Sequence, residues 1–274
     1  MYCDFFGLSE KPFSVAPDPR FLYLTPRHRE ALASLVYGIR EKMGIVCLIG
    51  EVGTGKTTLL YKLMEDLSED VTAAYIFNSK LTFKELLMAT SSQLGLPCER
   101  RSAFLLLEEL RRFLTRQMLD GKIIALIIDE AQNLTPSLLE HIRLLSNMET
   151  PRQKLLQILL VGQPELGEKL RGNKLRQLRQ RVTSLRFISP LEEEDTTSYI
   201  HHRLKIAGAT SANIFSPDAM SKIFHYSQGI PRLINTLCDN AMLIGYGTGK
   251  KTIEAPVIEE AIADLEIRPI MDEN

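Results

Sequence analysis

Apolar residues along this chain fall into two kinds of segment. Short runs that are apolar almost throughout, IVCLI (45–49), AAYIF (73–77), IIALII (123–128) and LLQILLVG (155–162), have the length and composition of buried strands. TSLRFI (183–188) reads as one further strand, the last. Between these runs the apolar positions recur three and four residues apart, which predicts helices. One begins at Thr25-Pro26, an N-cap followed by a first helical position, and continues through HREALASLVYGIREKM to Gly44. TTLLYKLMEDL follows the first strand, and Thr82-Phe83-Lys84-Glu85 has the form of a capping box opening a helix that ends near Gly95. A leucine- and charge-rich helix over about 103–119 is stopped by Gly121, and TPSLLEHIRLLSNM is another capped helix.

Strands alternating with helices predict an α/β fold, a parallel sheet flanked by helices. After Pro190 the strand pattern ceases, and 192–207, 217–228, 231–246 and 256–266 all read as helices. These form a small all-helical domain. At the other end, Pro12, Pro17 and Pro19 stand among Phe5, Phe6, Phe13, Phe21 and Tyr23, which predicts an extended segment pinned by aromatic side chains. The expected division is therefore an amino-terminal segment and helix (1–43), an α/β core (44–190) and a helical domain (191–274).

Composition narrows the function classes. With 45% hydrophobic and 24% charged residues the chain has globular values. Its 33 basic and 34 acidic side chains leave a net charge of −1, so no global basic field advertises nucleic acid. Cys3, Cys47, Cys98 and Cys238 are scattered and form no CxxC pair, which suits reduced cytosolic thiols better than a disulfide framework or a zinc site. The charged opening MYCDFFGLSEKPF does not read as a signal peptide, and no apolar run approaches 18 residues.

The candidate chemistry begins at GEVGTGKTTLL, Gly50 to Leu60, between the first strand and its helix. Gly50, Gly53 and Gly55 allow backbone N–H groups to turn inward around a phosphate chain, and the following helix adds its unpaired first-turn amides. Lys56 is expected to reach the β- and γ-phosphates and Thr57 to ligate Mg²⁺, with Glu51, Val52, Thr54 and Thr58 completing the run around the nucleotide. IIALII ends in Asp129 and Glu130, at the strand edge where open α/β sheets bind ligands. Asp129 is the expected second metal ligand; Glu130 is expected to orient and polarise the attacking water.

Together the phosphate loop, the Asp-Glu strand end and GIPR (229–232) resemble the AAA+ ATPases. That resemblance implies a P-loop sheet followed by a helical lid. It further implies that Arg232 contacts the γ-phosphate from the lid, that Gln163 at the end of the next strand senses it, and that Arg181 reaches a neighbour's nucleotide as an arginine finger, with Arg176 and Arg179 as alternates. The opening segment, the DEAQ strand end, GQPEL and GIPR resemble more narrowly the general secretion pathway protein A family, ExeA type, over residues 1–266. In that family the amino-terminal segment lies over the adenine, which makes Tyr37 and the aromatics before Pro26 candidates for that pocket or for the core. The implied activity is Mg²⁺-dependent ATP hydrolysis by a homo-oligomeric ring or filament that assembles or remodels a protein complex of type II secretion or envelope export. Localisation would be cytoplasmic, reaching the inner face of the membrane through a partner. Secretion members continue into a membrane helix and a peptidoglycan-binding domain; this sequence ends at Asn274 before either, as a piece of a longer protein or a stand-alone homologue would, so membrane attachment is not carried over. A DNA-associated ATPase of the transposition-regulator or origin-recognition kind is the alternative, with the arginines of 171–187 as phosphate contacts, and a nucleotide-switched scaffold is a third reading.

Overall fold

Five parallel strands make the sheet: β1 (Ile45–Gly50), β2 (Val71–Ile76), β3 (Ile123–Ile128), β4 (Leu156–Gly162) and β5 (Val182–Ile188), in the spatial order β2-β3-β4-β1-β5. The structure is a computed structural model and describes residues 1–77, 80–98, 101–209 and 213–266. Parallel neighbours require crossovers, and the helices predicted between the strands supply them. Twelve helices are described: α1 (Tyr2–Phe6), α2 (Pro26–Arg40), α3 (Lys56–Asp66), α4 (Phe83–Gln93), α5 (Ala103–Leu119), α6 (Pro136–Leu145), α7 (Pro164–Arg171), α8 (Arg176–Arg179), α9 (Glu193–Ile206), α10 (Pro217–Ser227), α11 (Pro231–Gly247) and α12 (Ala255–Glu266).

The chain divides into two compact units. One comprises Pro26–Glu51 and Leu59–Ile188 and contains the sheet. All residues of β1, β3 and β4 are buried, as uninterrupted apolar runs require of strands covered on both faces. On one face of the sheet, Ile45, Cys47 and Ile49 of β1, Ile124, Leu126 and Ile128 of β3 and Leu156, Ile158 and Leu160 of β4 join Leu86, Leu87, Leu106, Leu110, Leu139 and Ile142 from α4, α5 and α6 in one hydrophobic cluster. The capping box of α4 forms as predicted: Thr82 Oγ1 accepts the Glu85 N–H at 3.3 Å, and Glu85 Oε2 accepts the Thr82 N–H at 2.7 Å. At the sheet edge β5 alternates half-buried and exposed positions, with Leu185 and Phe187 on its open side.

The other unit comprises Met1–Thr25, Val52–Thr58 and Ser189–Asn274. Its core is helical: Ile200 and Leu204 of α9, Ile223 of α10, Leu237, Cys238 and Met242 of α11 and Ile258 of α12 are fully buried, together with Phe13 and Phe21 from the amino-terminal segment. The aromatic pinning is thus present, but the segment is not extended throughout. Residues Tyr2–Phe6 form α1, closed by Gly7 in the left-handed region at φ 70°. The first proline lies at position 12, so nothing in the backbone opposes one helical turn before it. The Tyr2 side chain is buried and its hydroxyl donates to Asp239 of α11. Burial, followed by the Asp239 bond and charge, pushes the Tyr2 phenol well above its usual range, so it stays protonated as the donor.

Two further contacts tie the amino-terminal segment to α9, and a third lies within that helix. The Arg203 guanidinium donates to the carbonyls of Pro12 and Ser14 and to the Tyr199 hydroxyl. Among the described residues no helix is long and apolar enough to cross a membrane.

Candidate functional site

Sheet order places the candidate residues. The loop strand and the acid strand are not sheet neighbours, because β4 lies between β1 and β3. All three are parallel, with Ile49 opposite Gly162 and Ile128 opposite Leu160, so Gly50, Asp129 and Gln163 follow strand ends at the same carboxyl edge. This is the edge at which open α/β sheets accept ligands.

The glycine-rich loop occupies residues 51–55 between β1 and α3. Gly53 and Gly55 have φ of +80° and +93°, which side-chain-bearing residues adopt only at a cost. Gly53 is required on a second ground: a Cβ there would lie 2.8 Å from the Arg232 Cβ. The Arg232 N–H donates to the Gly53 carbonyl at 3.2 Å, so GIPR and the phosphate loop meet through backbone. Arg232 occupies the first turn of α11 behind Pro231, and its side chain is exposed. Lys56 opens α3 and is only 6% exposed, an unusual burial for lysine; Thr54 is buried, whereas Thr57 and Thr58 are partly exposed. Glycine backbone at positive φ, a helix N-terminus and a lysine form a donor set suited to a phosphate chain.

At the end of β3, Asp129 is buried at 3% exposure, and its Oδ2 accepts the Tyr75 hydroxyl at 2.9 Å. Burial together with the Asp129 charge and hydrogen bond drives the Tyr75 phenol far above its normal value, fixing it as the donor. Glu130 stands in the left-handed region at φ 51°, ψ 36°, and its N–H donates to Asp129 Oδ1 at 2.8 Å. A non-glycine residue held there stores backbone strain, which is what turns its side chain out of the strand direction. Both Gln132 Nε2 and Gln163 Nε2 donate to Glu130 Oε2, the latter at 3.3 Å. Gln132 Oε1 in turn accepts the Gln163 backbone N–H at 3.0 Å.

Glu130 and Gln163, 33 residues apart in sequence, are therefore brought together. Gln163 precedes Pro164 at the start of α7. Tyr75 and Gln132 are the residues that sequence reasoning missed. Gln132 stands in the quoted DEAQ, yet a glutamine after a strand reads as solvated loop, and only its 9% exposure distinguishes it.

The arginine candidates separate in role. Arg176 and Arg179 lie on α8 and Arg181 just before β5, all exposed. Arg179 donates to the Arg171 carbonyl at 3.0 Å, and Arg186 pairs with Glu30 of α2 at 2.9 Å. The Glu149 carboxyl is held low by its bond to Lys154 first and by the Arg181 charge last, so Arg181 lies in reach of a carboxylate within its own chain. Tyr37 is 60% exposed and belongs to no core. It lines a surface groove with Arg40 and Asp66, the last residue of α3 and the opposite end of that helix from Lys56. Neither expected role for Tyr37 matches that position, because α2 turns its leucines inward and this tyrosine outward.

Among the described residues no group of three or more His, Cys, Asp or Glu forms a metal cluster. One buried carboxylate and a threonine hydroxyl are nevertheless the donors that Mg²⁺ takes when phosphate oxygens and water complete its shell.

Comparison with known proteins agrees with this architecture. Residues 39–170 match the family model described as AAA domain. General secretion pathway protein A of Aeromonas hydrophila is 44% identical over 274 residues, all of this chain and 50% of that protein. The chain thus spans half the length of that relative. Among solved structures, the ORC2 protein of Aeropyrum pernix aligns over 96% of this chain and 73% of its own with a TM-score of 0.72 at 17% identity. CDC6P from Pyrobaculum aerophilum does so over 92% and 70%, with a TM-score of 0.72 at 20% identity. At those identities the likeness shows the fold.

Proposed function

This chain carries an AAA domain on the fold of the AAA+ P-loop ATPases and resembles general secretion pathway protein A, and from that premise we propose that it binds Mg-ATP and hydrolyses it to ADP and phosphate. The observation that carries the reading is Glu130, a carboxylate at the carboxyl edge of the sheet, backbone-strained and held by two glutamine amides next to a buried aspartate. A solvated turn has no use for such an arrangement.

In this reading Gly50 to Thr58 hold the triphosphate through backbone amides, Lys56 supplies the charge toward the β- and γ-phosphates, and Thr57 and Asp129 hold the metal. Mg²⁺ would supply neutralisation of charge developing on the phosphate oxygens. Glu130 orients the attacking water and draws off its proton, Gln163 fixes the end of β4 beside that acid, and Arg232 follows the γ-phosphate from α11. Residues 1–43, 44–190 and 191–274 are proposed as the functional division into amino-terminal segment, ATPase core and lid. Arg181, with Arg176 and Arg179 as alternates, would complete the site of an adjacent subunit in a homo-oligomer.

The name of the 44% identical relative supports a role in general secretion; beyond that name we propose that the chain assembles or remodels an export complex from the cytoplasmic side. The test is nucleotide binding and phosphate release measured on three proteins. Lys56→Ala should lose nucleotide affinity by about a hundredfold or more, and Glu130→Gln should bind ATP while losing turnover. Normal hydrolysis by Glu130→Gln would remove that residue from its role. A second reading, a DNA-associated ATPase, draws on the exposed Arg176, Arg179 and Arg181. Duplex DNA bound by the Glu130→Gln protein only in Mg-ATP, and lost steeply with salt, would favour it over secretion.

A further inference from the structure

Glu130 does not meet its surroundings alone, and the residue that holds it most completely is Gln132. This side chain is 9% exposed and bonded at both ends: Nε2 donates to Glu130 Oε2 and Oε1 accepts the Gln163 N–H at 3.0 Å. Its orientation is dictated by its partners, since a carboxylate needs a donor and an N–H needs an acceptor, so an amide reversed end for end would break both contacts. Even its backbone is tied down, because the Lys169 ammonium of α7 donates to the carbonyls of Gln132 and Leu134. Space for the amide exists because position 162 is glycine: a Cβ there would lie 2.8 Å from Gln132 Oε1.

We propose that Gln132 is the positioning residue for Glu130, clamping Oε2 so that Oε1 is the oxygen turned to the attacking water. The inference rests on the ATPase reading above. The clamp spans two strand ends, because one end of the amide grips the acid that follows β3 and the other grips the first residue after β4. The direction of the acid is therefore set by the β4–α7 corner, and Gln163 adds a second donor to the same oxygen at 3.3 Å. With Oε2 occupied by two amides, rotation of the carboxylate about its terminal bond breaks both contacts. A glutamate held this way reaches one oxygen outward at a fixed angle, which is the geometric demand on a group that must align a water.

Two substitutions separate positioning from support of the fold. Gln132→Glu keeps an acceptor for the Gln163 N–H but offers a carboxylate, not a donor, to Glu130. Gln132→Met keeps the volume and removes both contacts. Steady-state ATP hydrolysis, binding of a fluorescent ATP analogue and thermal melting would be measured on both, with Glu130→Gln in the same assay. We expect kcat to fall at least tenfold in each, with KM and analogue affinity within threefold of the parent, since misaimed chemistry lowers kcat while leaving ground-state binding intact. A fall in kcat below threefold in a folded variant, a fall carried by KM alone, or a rise in kcat would overturn the inference, the last by showing that the amide parks the acid. Should Gln132→Glu fail to melt cooperatively, Gln132→Met decides. If Glu130→Gln is inactive and the Gln132 variants are not, only this inference falls; if Glu130→Gln turns over normally, Glu130 loses its role and this inference falls with it while hydrolysis stands; if the parent does not turn over at all, the ATPase reading falls and this one with it.

Discussion

Arg203 offers a test of how the proline-rich opening segment is held. Pro12, Pro17 and Pro19 have no N–H, so the backbone at those residues can be hydrogen-bonded only through carbonyl oxygens, and the donor has to come from elsewhere. Arg203, 6% exposed in α9, is that donor: Nε to the Pro12 carbonyl at 2.5 Å, Nη2 to the Ser14 carbonyl at 3.2 Å and Nη1 to the Tyr199 hydroxyl at 2.9 Å. Its guanidinium carbon also lies 4.8 Å from the Phe21 ring centroid and 5.6 Å from that of Tyr199. Arg203→Met keeps most of the apolar stem and deletes every donor. Three hydrogen bonds from a charged donor contribute about 6 kcal/mol. Contacts with two aromatic faces add about 1–2 kcal/mol. Relief of a buried charge returns several kcal/mol, roughly half of that total. The expected net loss is about 3 kcal/mol.

Urea unfolding of the parent, Arg203→Met and Arg203→Lys measures that loss, and hydrogen exchange across residues 9–22 locates it. The lysine variant should recover less than half, since one ammonium cannot reach three acceptors or stack flat on a ring. Exchange should quicken in the segment first, because Ser9 remains bonded to the Ala207 carbonyl through N–H and hydroxyl while the stretch after it is released. A stability change below 1 kcal/mol in Arg203→Met, or unchanged exchange at 9–22, would refute the claim that this side chain fastens the segment.

Three other outcomes can be measured. Burial first, then the Arg203 and Lys205 charges, holds the His202 imidazole below the usual histidine value of 6.5, and its Nε2 is buried with no partner among the described residues. A depressed histidine contributes stability that is present above the unfolded value and is lost as pH falls, so the parent should weaken from about pH 6.5 downward, more than His202→Phe does, and equal slopes in pH-dependent urea melts would contradict this. Gly162→Ala should retain nucleotide affinity and lose turnover like the Gln132 variants, because its Cβ would strike the Gln132 amide oxygen at 2.8 Å; unchanged kcat would show that the corner can relax. Mixing Arg181→Ala with Lys56→Ala should restore part of the ATPase rate if an arginine from one subunit serves the nucleotide of the next; no recovery together with monomeric sedimentation would count against a shared site.

How much was legible depended on how local each cause was. IIALII marks β3 residue for residue, and IVCLI and LLQILLVG mark β1 and β4 to within one residue, because a strand buried on both faces has to be apolar throughout. Thr82 and Glu85 fix the start of α4 for an equally local reason, two side chains satisfying each other's backbone. AAYIF was placed two residues late at its start, since Val71 and Thr72 of β2 are not fully buried and carry a weaker apolar signal. Helix α1 is hidden by the prolines that follow it, α7 by the charges and glycine of ELGEKLRGNK, and α8 by being a single four-residue turn, RQLR.

The site divides along the same line. Its backbone-driven parts, the glycine loop and the acids closing a strand, stand in short words of sequence and were assigned from them. The side-chain clamp could not be, because its members are non-local: Gln132 and Gln163 are 31 residues apart, and Tyr75 and Asp129 are 54 apart. Nothing in the word DEAQ distinguishes a glutamine that grips an acid from one that faces water. That difference arises from strand order, which sets the end of β4 beside β3, and from the absence of a Cβ at Gly162, which leaves room for the amide. A Cβ at position 162 would therefore meet the Gln132 amide oxygen at 2.8 Å, a constraint set by the turn after the neighbouring strand β3. Its neighbour Gln163 reaches Glu130 only because the same corner brings the Gln163 backbone N–H onto Gln132. A substitution that keeps the local sequence pattern and fills that corner should thus spare the fold and cost the chemistry.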